Sequence, residues 1–423
     1  MIEQDNTFWA LCDKIRGRLT TEAGQLLSEG EESAGTAKEK ISDRIRMYLR
    51  DMQIRDESLV KKLYEEMAGA SVLSPYLEDP DIDEININAW DDIVVTYSGG
   101  LVKRVPETFR SPEHAVDILR RLLRHSGRIL DNAMPIAQGH LPGNMRVTAL
   151  KSPVTDAGTG IAASIRRLRP SVIGKEALIA SGVLSRDMMD FLTDCVRFGL
   201  SVVIAGRTSS GKTTLLNVLG SSMRDSQRIY TIESGARELE LRRYDSSGRH
   251  TNSVVHTLSR PSDNPKMDIS QETLVTAALR FDPDLIIIGE IRDEEAHGAV
   301  EASLTGHTVL STVHSGPGEA AHTRMALLCQ RRFNLGMEVS MSQCRRAFPI
   351  VVFMHRGEDF TRRVTHISEC VVGDGNRAVY RTLFHYDPKT GAFVRDAMPD
   401  ASHLSWMALN GRPLKAEEKE GTT

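Results

Sequence analysis

The most informative deficits of this sequence are in positive charge and in aromatic side chains. Its 423 residues carry a formal net charge of −4, whereas proteins that bind duplex DNA usually show a strong basic excess. Aromatic residues make up 5% of the chain, which leaves few surfaces on which bases of single-stranded nucleic acid could stack. Both deficits argue against a nucleic-acid motor, and we expect no sequence-specific binding of nucleic acid.

Paired cysteines and long apolar runs are also missing. The five cysteines include no Cys-x-x-Cys pair, which argues against a zinc knuckle and a disulfide framework and is typical of a reducing compartment. The first residues, MIEQDNTFWALCDK, are too acidic and too weakly apolar for a signal peptide. The longest apolar runs, such as residues 286–288 and 350–354, are far shorter than a membrane span. Any membrane association is therefore expected to use a surface or a partner.

One stretch organises the chain: SVVIAGRTSSGKTTLLN, beginning at residue 201, which fits the phosphate-loop pattern G-x-x-x-x-G-K-[ST] between a short apolar strand and a helix. Gly206 and Gly211 permit a tight turn that aims N–H groups at phosphate oxygens, and the helix N-terminus adds positive potential. Lys212 supplies a cation for the terminal phosphates, and Thr213 supplies a hydroxyl for Mg²⁺. The alternative is a turn rich in glycine and serine without a ligand.

Ahead of this loop, the pattern predicts two regions. Residues 1–57 show helical apolar spacing in two stretches, joined by the polar segment SEGEESAGTAKEK, which indicates a helical appendage with a flexible linker. Residues 58–170 combine an antiparallel strand meander with a helix that starts at Pro112 after a Ser111 cap, which predicts an α+β domain. Residues 171–184 are expected to link this domain to the next.

From residue 185 to residue 405, strands alternate with helices, which predicts a parallel sheet with crossover helices and a β-rich C-terminal part. Within this region, residues 245–268 are polar and rich in turn residues, so we expect a surface excursion there. A helix over residues 269–280 is expected to follow, capped by Asp268. Residues 406–423 are expected to form a tail, with its last dozen residues charged and disordered.

Two predicted strands of this region lead into glutamate side chains at their carboxyl ends. The aliphatic run at residues 285–288 leads into Glu290, and ligand chemistry collects at the carboxyl ends of parallel strands. Glu290 is therefore predicted to orient a water on the γ-phosphate or to hold the water shell of Mg²⁺. Glu233 ends another strand, with Glu238 close behind, and is the second candidate acid. The alternative for each is a carboxylate in contact with solvent.

Histidines and arginines complete the candidate set. His307 and His314 lie at opposite ends of one predicted strand, and a purely structural role is the alternative for each. Arg146, Arg166 and Arg167 are either surface charges on strands or groups that reach across a cleft toward a triphosphate. The residues alone leave both alternatives open.

Four motifs taken in chain order are more specific than any one of them: GRTSSGKTT, TIESGARELEL, PDLIIIGEIRDEEA and TGHTVLSTVHS. Together they closely resemble the Walker A, Asp box, Walker B and His box of the secretion traffic ATPases. These are the motors of type II secretion, type IV pili, Tad-type pili, and type IV secretion or conjugation. The resemblance covers about residues 75–355, and the DPDIDEININ meander is most similar to the Tad/Flp and conjugative branch.

The resemblance implies an α/β fold, with a RecA-like P-loop NTPase core, a preceding smaller α+β domain and an N-terminal helical appendage. It implies ATP hydrolysis with Mg²⁺ by a homohexamer that works on an inner-membrane platform protein. Such a motor is cytoplasmic and peripherally associated with the inner face of the cell membrane, where it powers pilus assembly, protein secretion or conjugative transfer.

By position, the resemblance also assigns roles to residues. Glu290 corresponds to the Walker B glutamate, Glu233 to the Asp-box acid, and His307 and His314 to the residues that sense the γ-phosphate. The implied ATP-binding positions are Gly206, Thr208, Ser209, Ser210, Gly211, Lys212, Thr213, Thr214, Arg146, Arg166 and Arg167, with Thr213 on Mg²⁺.

The sequence departs from the family pattern in two places. The Asp box usually has Glu-Asp, whereas here Ser234 follows Glu233. Glu238 lies one residue further on than the usual second acid of the box, so the Asp-box chemistry is open. The tetracysteine zinc module of some type II and type IV pilus members is absent. Two functions of other classes remain as alternatives: a nucleic-acid-translocating P-loop ATPase of the helicase or packaging type, and a non-catalytic nucleotide switch. The intact Lys212 and Glu290 argue against the switch.

Overall fold

The computed structural model describes residues 2–413 except residues 27–33, 99, 125, 169–172, 235–236, 263–265, 294, 333–334, 374 and 376. The described chain divides into two compact units, with the boundary after Leu168. Among the described residues, no helix combines the length and the apolar character that a membrane span requires.

The first unit combines helices with an antiparallel sheet. Its helices are α1 (Ile2–Leu26), α2 (Ala34–Asp51), α3 (Glu57–Met67), α4 (Ser74–Glu78) and α5 (Pro112–Arg124). Its strands are β1 (Ile82–Ala89), β2 (Asp92–Tyr97), β3 (Val102–Arg104), β4 (Ile136–Leu141), β5 (Met145–Lys151) and β6 (Ile161–Arg167). The described strands form a six-stranded sheet in the order β3-β2-β1-β6-β5-β4, and every neighbouring pair is antiparallel. The predicted meander of β1, β2 and β3 is confirmed.

Helices α1, α2 and α3 bury a small core of their own, which includes Cys12, Ile15, Ile45, Leu49 and Leu63. The helix α3 therefore packs with the helices before it. The linker predicted over SEGEESAGTAKEK is wrong in its second half, because α2 already begins at Ala34. Alanine, lysine and glutamate in that half are strong helix formers, and this propensity prevails over the polar character of the segment. Residues 28–33 of the segment lie outside the described residues.

The second unit is an α/β domain. Its helices are α6 (Lys175–Ala180), α7 (Arg186–Arg197), α8 (Lys212–Gly220), α9 (Gln271–Ala278), α10 (Glu295–Leu304), α11 (Glu319–Arg332), α12 (Met337–Ala347) and α13 (Ala401–Leu409). Its strands are β7 (Val202–Gly206), β8 (Arg228–Ser234), β9 (Ser253–Ser259), β10 (Leu285–Ile291), β11 (Thr308–Val313), β12 (Ile350–Arg356), β13 (Arg362–Val372), β14 (Ala378–Asp387) and β15 (Ala392–Arg395).

The described strands of the second unit form one sheet in the order β15-β14-β13-β12-β7-β11-β10-β8-β9. Pairing is parallel from β12 to β9 and antiparallel from β12 to β15. Alternate residues of β7 face two cores: Val202 and Ile204 face one, and Val203 and Ala205 face the other. A parallel sheet covered on both faces, with a phosphate loop after a central strand, is the RecA-like core that the sequence predicts.

Three local predictions for this unit are wrong. Residues 245–268 contain the parallel edge strand β9, because alternate side chains of a half-exposed edge strand can remain polar. Helix α9 begins at Gln271 and is capped by Ser270, whose hydroxyl accepts from the N–H of Thr273, so Asp268 is not the cap. The predicted tail begins too early, since α13 runs to Leu409 and the nearly buried Arg412 pairs with Asp194.

The predicted connecting segment, residues 171–184, is partly helical. It contains α6, and Glu176 of this helix forms an exposed ion pair with Arg186 at the start of α7. Residues 171 and 172 lie outside the described residues.

Candidate functional site

The phosphate loop joins β7 to α8 and depends on two glycines. Gly206 has a φ of 152°, and a Cβ there would lie 2.4 Å from the carbonyl oxygen of Met354. Gly211 has a φ of 97° and precedes α8, where a Cβ would approach the side chains of Met354 and Arg362. Only glycine fits both positions without displacing β12 or β13, so the loop is held in its turned shape by the neighbouring strands.

Ser210 and Lys212 face into the loop. Ser210 is 1% exposed, and no hydrogen-bond partner for its hydroxyl occurs in the described part of the chain. Lys212 is 7% exposed and its Nζ donates to the carbonyl oxygen of Arg207 at 2.9 Å. Burial lowers the pKa of Lys212, and the nearby Glu290 carboxylate opposes this effect. An unsatisfied hydroxyl and a buried cation in a glycine-framed turn are the features that a phosphate group would satisfy.

Glu290 and His314 join the loop from two adjacent strands. The Nε2 atom of His314, which follows β11, lies 3.0 Å from Oε1 of Glu290 in β10. The Nδ1 atom of the same ring lies 3.5 Å from Nζ of Lys212. Burial lowers the pKa of His314, and Glu290 only partly offsets this shift. The lowered pKa favours the neutral ring, and in the tautomer whose Nε2–H donates to the carboxylate, Nδ1 can accept from Lys212.

Arg292 holds the second oxygen of Glu290. Its Nη2 donates to Oε2 of that carboxylate, and about half of the Arg292 side chain remains exposed. The Glu290 side chain is 19% exposed. Sequence reasoning missed this arginine, although its position two residues after a strand-terminal glutamate was available as a signal, since residues i and i+2 of a strand share a face.

Glu233, at the carboxyl end of β8, is buried with 3% exposure. Its Oε1 accepts from the N–H groups of Glu238 and Leu239 at 2.7 and 3.0 Å, so Glu238 contributes through its main chain. Its Oε2 is buried, and the described residues provide it with no hydrogen-bond partner. Burial raises the pKa of Glu233 to about 7, against the opposing effect of those two N–H groups. This side chain is therefore poised between its neutral and charged forms near pH 7.

The structure does not bring His307 to this cluster. His307 precedes β11, whereas His314 follows it, and a parallel strand of this length separates its two ends by about 20 Å. The Nδ1 atom of His307 is buried, and no partner for it is present in the described part of the chain. The remaining loop positions, Thr208, Ser209, Thr213 and Thr214, are exposed or half-buried around the start of α8.

The three candidate arginines lie in the first unit. Arg146 of β5 pairs directly with Arg166 of β6, so the two side chains are on one face of the sheet. His140 stands opposite Arg146 on the other side, and burial, followed by Arg146, lowers the pKa of His140. Arg167 differs, since its guanidinium donates to the carbonyl oxygens of Ile82, Leu77 and Asp79. Its contacts are those of a residue that stabilises the domain.

A Mg²⁺ ion would have few protein ligands here. No group of three or more histidine, cysteine, aspartate or glutamate side chains suited to a metal is found among the described residues. The hydroxyl of Thr213 at the start of α8 and the unsatisfied oxygen of Glu233 fit an ion that is held mainly by phosphate oxygens and water.

A cavity of about 890 Å³ opens beside the first residues of the loop. Its walls include Gly206, Thr208 and His314 on one side and Arg356, Glu358 and Phe360 on the other. The second set belongs to the end of β12 and the turn that follows it, to which sequence reasoning assigned no function.

Comparisons with known proteins give a consistent result. A family model described as "Type II/IV secretion system protein" matches residues 66–349. A putative conjugal transfer protein of Mycobacterium tuberculosis is 29% identical over 336 residues, which is 78% of this chain and 92% of that protein. The type IV secretion system protein PtlH homolog of Bordetella bronchiseptica is 29% identical over 324 residues, which is 70% of this chain and 92% of that protein. Among solved structures, the Legionella pneumophila ATPase DotB aligns with a TM-score of 0.49 at 20% identity, covering 75% of this chain and 80% of that one.

Proposed function

The chain belongs to the type II/IV secretion system protein family and is a P-loop ATPase of the secretion-motor type, and we propose that it hydrolyses MgATP at the loop after β7. The observation that carries this proposal is the continuous set of contacts from Lys212 through His314 to Glu290. Lys212 begins the helix that follows the loop after β7, His314 follows β11, and Glu290 lies in β10, and these three strands are neighbours in the sheet. Their contacts meet where a γ-phosphate bound in the loop would lie.

The loop residues bind the phosphates. The N–H groups of the turn and the hydroxyl of Ser210 donate to phosphate oxygens, and Lys212 places its charge on the terminal phosphates. Nζ of Lys212 gives up its contact with the carbonyl oxygen of Arg207 as it does so. Thr213 would hold Mg²⁺ together with phosphate oxygens, and the ion would supply charge neutralisation for the β- and γ-phosphates.

Glu290 orients the water that attacks the γ-phosphate. Its carboxylate is the acceptor for a proton of that water, and the neutral His314 ring fixes its Oε1 through Nε2–H. Because Nδ1 of His314 lies near Nζ of Lys212, the ring also responds to the binding of a phosphate group by that lysine. Glu233 has an oxygen without a partner among the described residues, and this oxygen would accept from the water shell of a bound Mg²⁺.

Arg146 and Arg166, which pair directly on adjacent strands of the first unit, are the residues that we propose to supply further positive charge for the nucleotide. Directly opposed like charges on adjacent strands are unfavourable, which is the expected arrangement when an anion compensates them. Arg167 remains a prediction as a nucleotide ligand, although its guanidinium is engaged by main-chain carbonyls. His307 remains a prediction as a catalytic residue, although its Nδ1 is buried and it lies at the other end of β11 from His314.

The free energy of ATP hydrolysis drives a transport machine. Relatives named for conjugal transfer and type IV secretion match most of this chain. We propose that the chain acts as a homohexamer at the inner face of the cell membrane, where it drives pilus assembly, protein secretion or conjugative transfer through a membrane platform protein.

Steady-state phosphate release from MgATP by the full chain tests the proposal. Lys212→Ala is expected to abolish turnover without a change in melting temperature, whereas Lys389→Ala, at the exposed turn between β14 and β15, should match the wild type. The Arg146→Ala, Arg166→Ala double variant should raise KM about tenfold, since each arginine contributes a charge-assisted contact. Full turnover by Lys212→Ala would overturn the assignment.

A second arm of the same assay separates a transport motor from a nucleic-acid motor. Single-stranded DNA is added at increasing concentration, and turnover is compared at low and high salt. A transport motor should keep its rate. Strong stimulation that disappears at high salt would favour a nucleic-acid-translocating ATPase instead.

A further inference from the structure

We propose that the free edge of β9 binds an extended acidic segment of a partner protein, which would join the sheet of the second unit as a further strand. β9 is the last strand in the order of that sheet, and it pairs in parallel with β8. On its other side, none of the described residues forms a main-chain hydrogen bond with residues 253–259. The strand therefore presents unpaired N–H and C=O groups, which are the template for strand addition.

The other edges of the two described sheets are protected against such pairing. The edge strand β3 has three residues, of which two are Lys103 and Arg104, and the edge strand β15 has four residues and ends at Arg395. In the edge strand β4, the carbonyl oxygen of Gln138 accepts from Nε of Arg128 at 2.8 Å. Short length, charged side chains and covering groups are the means by which natural proteins keep sheet edges from pairing.

The sequence of β9 contains none of these protective features. Its seven residues, SVVHTLS, include no proline, glycine, lysine, arginine or carboxylate, and its valines and threonine favour extended backbone. Burial, followed by Arg237 and Arg242, lowers the pKa of His256 to about 4, so the strand is uncharged at pH 7. Leu258 is 43% exposed near the end of the strand. An open, uncharged edge of this length indicates that a second strand covers it when the protein is at work.

The charges around β9 identify the kind of strand that fits. Residues 241–262 contain four arginines and one aspartate, a net charge of +3, whereas the whole chain carries −4. Two of the arginines, Arg243 and Arg249, are paired with carboxylates of the second unit. Arg242, which acts on His256, and Arg260, which directly follows the strand, have no ion pair among the described residues. Carboxylates on an added strand would neutralise these two side chains.

The same charges disfavour a second copy of this chain as the occupant. If two copies of β9 paired edge to edge, each would bring its own Arg242 and Arg260 to the shared surface, and like charges that meet across an interface are costly. An acidic partner strand meets no such repulsion. Its main chain would supply the pairing, and its carboxylates would supply the preference for this edge over others.

Hydrogen exchange measured by mass spectrometry on the full chain, without nucleotide, tests the inference. The probe is a peptide of about eight residues in which glutamate alternates with valine, within the usual length of a strand. A peptide in which glutamate alternates with proline has the same charge but cannot pair as a strand, and one in which lysine alternates with valine has the opposite charge. The Glu/Val peptide is expected to protect amides of residues 253–259, and the other two peptides are not.

A charge reversal identifies the groups that select the peptide. The double variant Arg242→Glu, Arg260→Glu should raise the Kd for the Glu/Val peptide at least about tenfold and should lower the Kd for the Lys/Val peptide. The matched control is Arg377→Glu, Lys389→Glu, which changes the net charge equally at exposed positions around β14 and should alter neither value. ATP turnover should be the same in both double variants and the wild type, because none of these residues lies at the phosphate loop.

Three outcomes would overturn the inference, and none of them bears on the proposed ATPase activity. If the Glu/Pro peptide binds as tightly as the Glu/Val peptide, the contact depends on charge alone and no strand is added. If the Glu/Val peptide binds but protects amides outside residues 253–259, the edge of β9 is not the site. If residues 253–259 are already protected in the protein alone and lose this protection when dilution separates the subunits, a second copy is the occupant.

Discussion

The parallel strands β8 and β10 are neighbours in the sheet, and each has a glutamate one residue before its last, but the surroundings of the two carboxylates are opposite. Glu290 has a hydrogen-bond partner on each oxygen, the imidazole of His314 and the guanidinium of Arg292. Glu233 is almost fully buried, accepts two main-chain N–H groups on one oxygen, and finds no partner among the described residues for the other.

This difference shows how one edge of a sheet can supply two kinds of acid. The environment of Glu290 fixes the position of its oxygens before substrate arrives, which suits a group that must aim a water molecule. The environment of Glu233 disfavours its charge and leaves one oxygen unsatisfied, so this side chain gains most when a cation or a water shell reaches it. One site thus contains a glutamate whose oxygens are already positioned, Glu290, and a second glutamate with an oxygen available to a new partner, Glu233.

The substitution with the largest expected effect on the contrast between the two glutamates is Glu290→Gln, which keeps the size of the side chain and removes its charge. We expect kcat to fall by a factor of about 10² to 10⁴ with little change in KM, because general-base assistance is lost while phosphate binding is retained. Phosphate-release kinetics measures both constants. Glu301→Gln, on the exposed face of α10, is the matched control, and an unchanged kcat for Glu290→Gln would support a non-catalytic nucleotide switch.

Glu233→Gln tests the surroundings of the second glutamate through the pH dependence of the free energy of unfolding. The folded-state pKa of about 7 is above the unfolded value, so the folded protein binds more protons between about pH 4.5 and 7. The wild type should therefore lose stability as the pH rises through this window, by up to about 3 kcal/mol, since each pKa unit corresponds to 1.36 kcal/mol.

The measurement for this second prediction is the melting temperature of both proteins from pH 5 to pH 8, without nucleotide. The gap between Glu233→Gln and the wild type should widen toward high pH, in favour of the variant. Glu301→Gln should follow the wild type at every pH. Parallel curves for Glu233→Gln and the wild type would mean that the buried carboxyl carries no raised pKa.

His314→Gln is the smallest perturbation, because it leaves both carboxylates and changes only the partner that positions Glu290. We expect a loss of about tenfold in kcat, the scale of one hydrogen bond to a charged group. In the wild type, kcat should also fall when the pH drops through the lowered pKa of His314 and its ring becomes charged. The pH profile of kcat checks this, and a profile unchanged by His314→Gln would exclude a role for the ring in turnover.

The sequence predicted the strands that carry the site because their apolar runs end directly in the chemically active residues, as at Glu290 and Glu233. Local pattern also gave the phosphate loop, since the loop and the strand before it are contiguous in the chain. The partners within the site were harder to foresee. Arg362 and Ser209 are far apart in sequence, and their hydrogen bond depends on the antiparallel hairpin that follows the parallel sheet.

The edge strand β9 was missed for a different physical reason. It pairs with β8 on one side, and its exposed edge and face allow polar residues. The resulting sequence pattern is that of a loop. The start of α9 was misplaced by two residues because Asp268 and Ser270 are both good caps, and only the geometry of the main chain chose between them.

The order of the strands has a consequence for the synthesis of this protein. The strand β7, which carries the phosphate loop, lies between β11 and β12, and both of these strands are translated long after it. A growing chain that has released the loop from the ribosome still lacks His314, Met354 and the turn that displays Phe360. We therefore expect ATP hydrolysis to begin only when most of the polypeptide has emerged, so that an unfinished chain consumes no ATP.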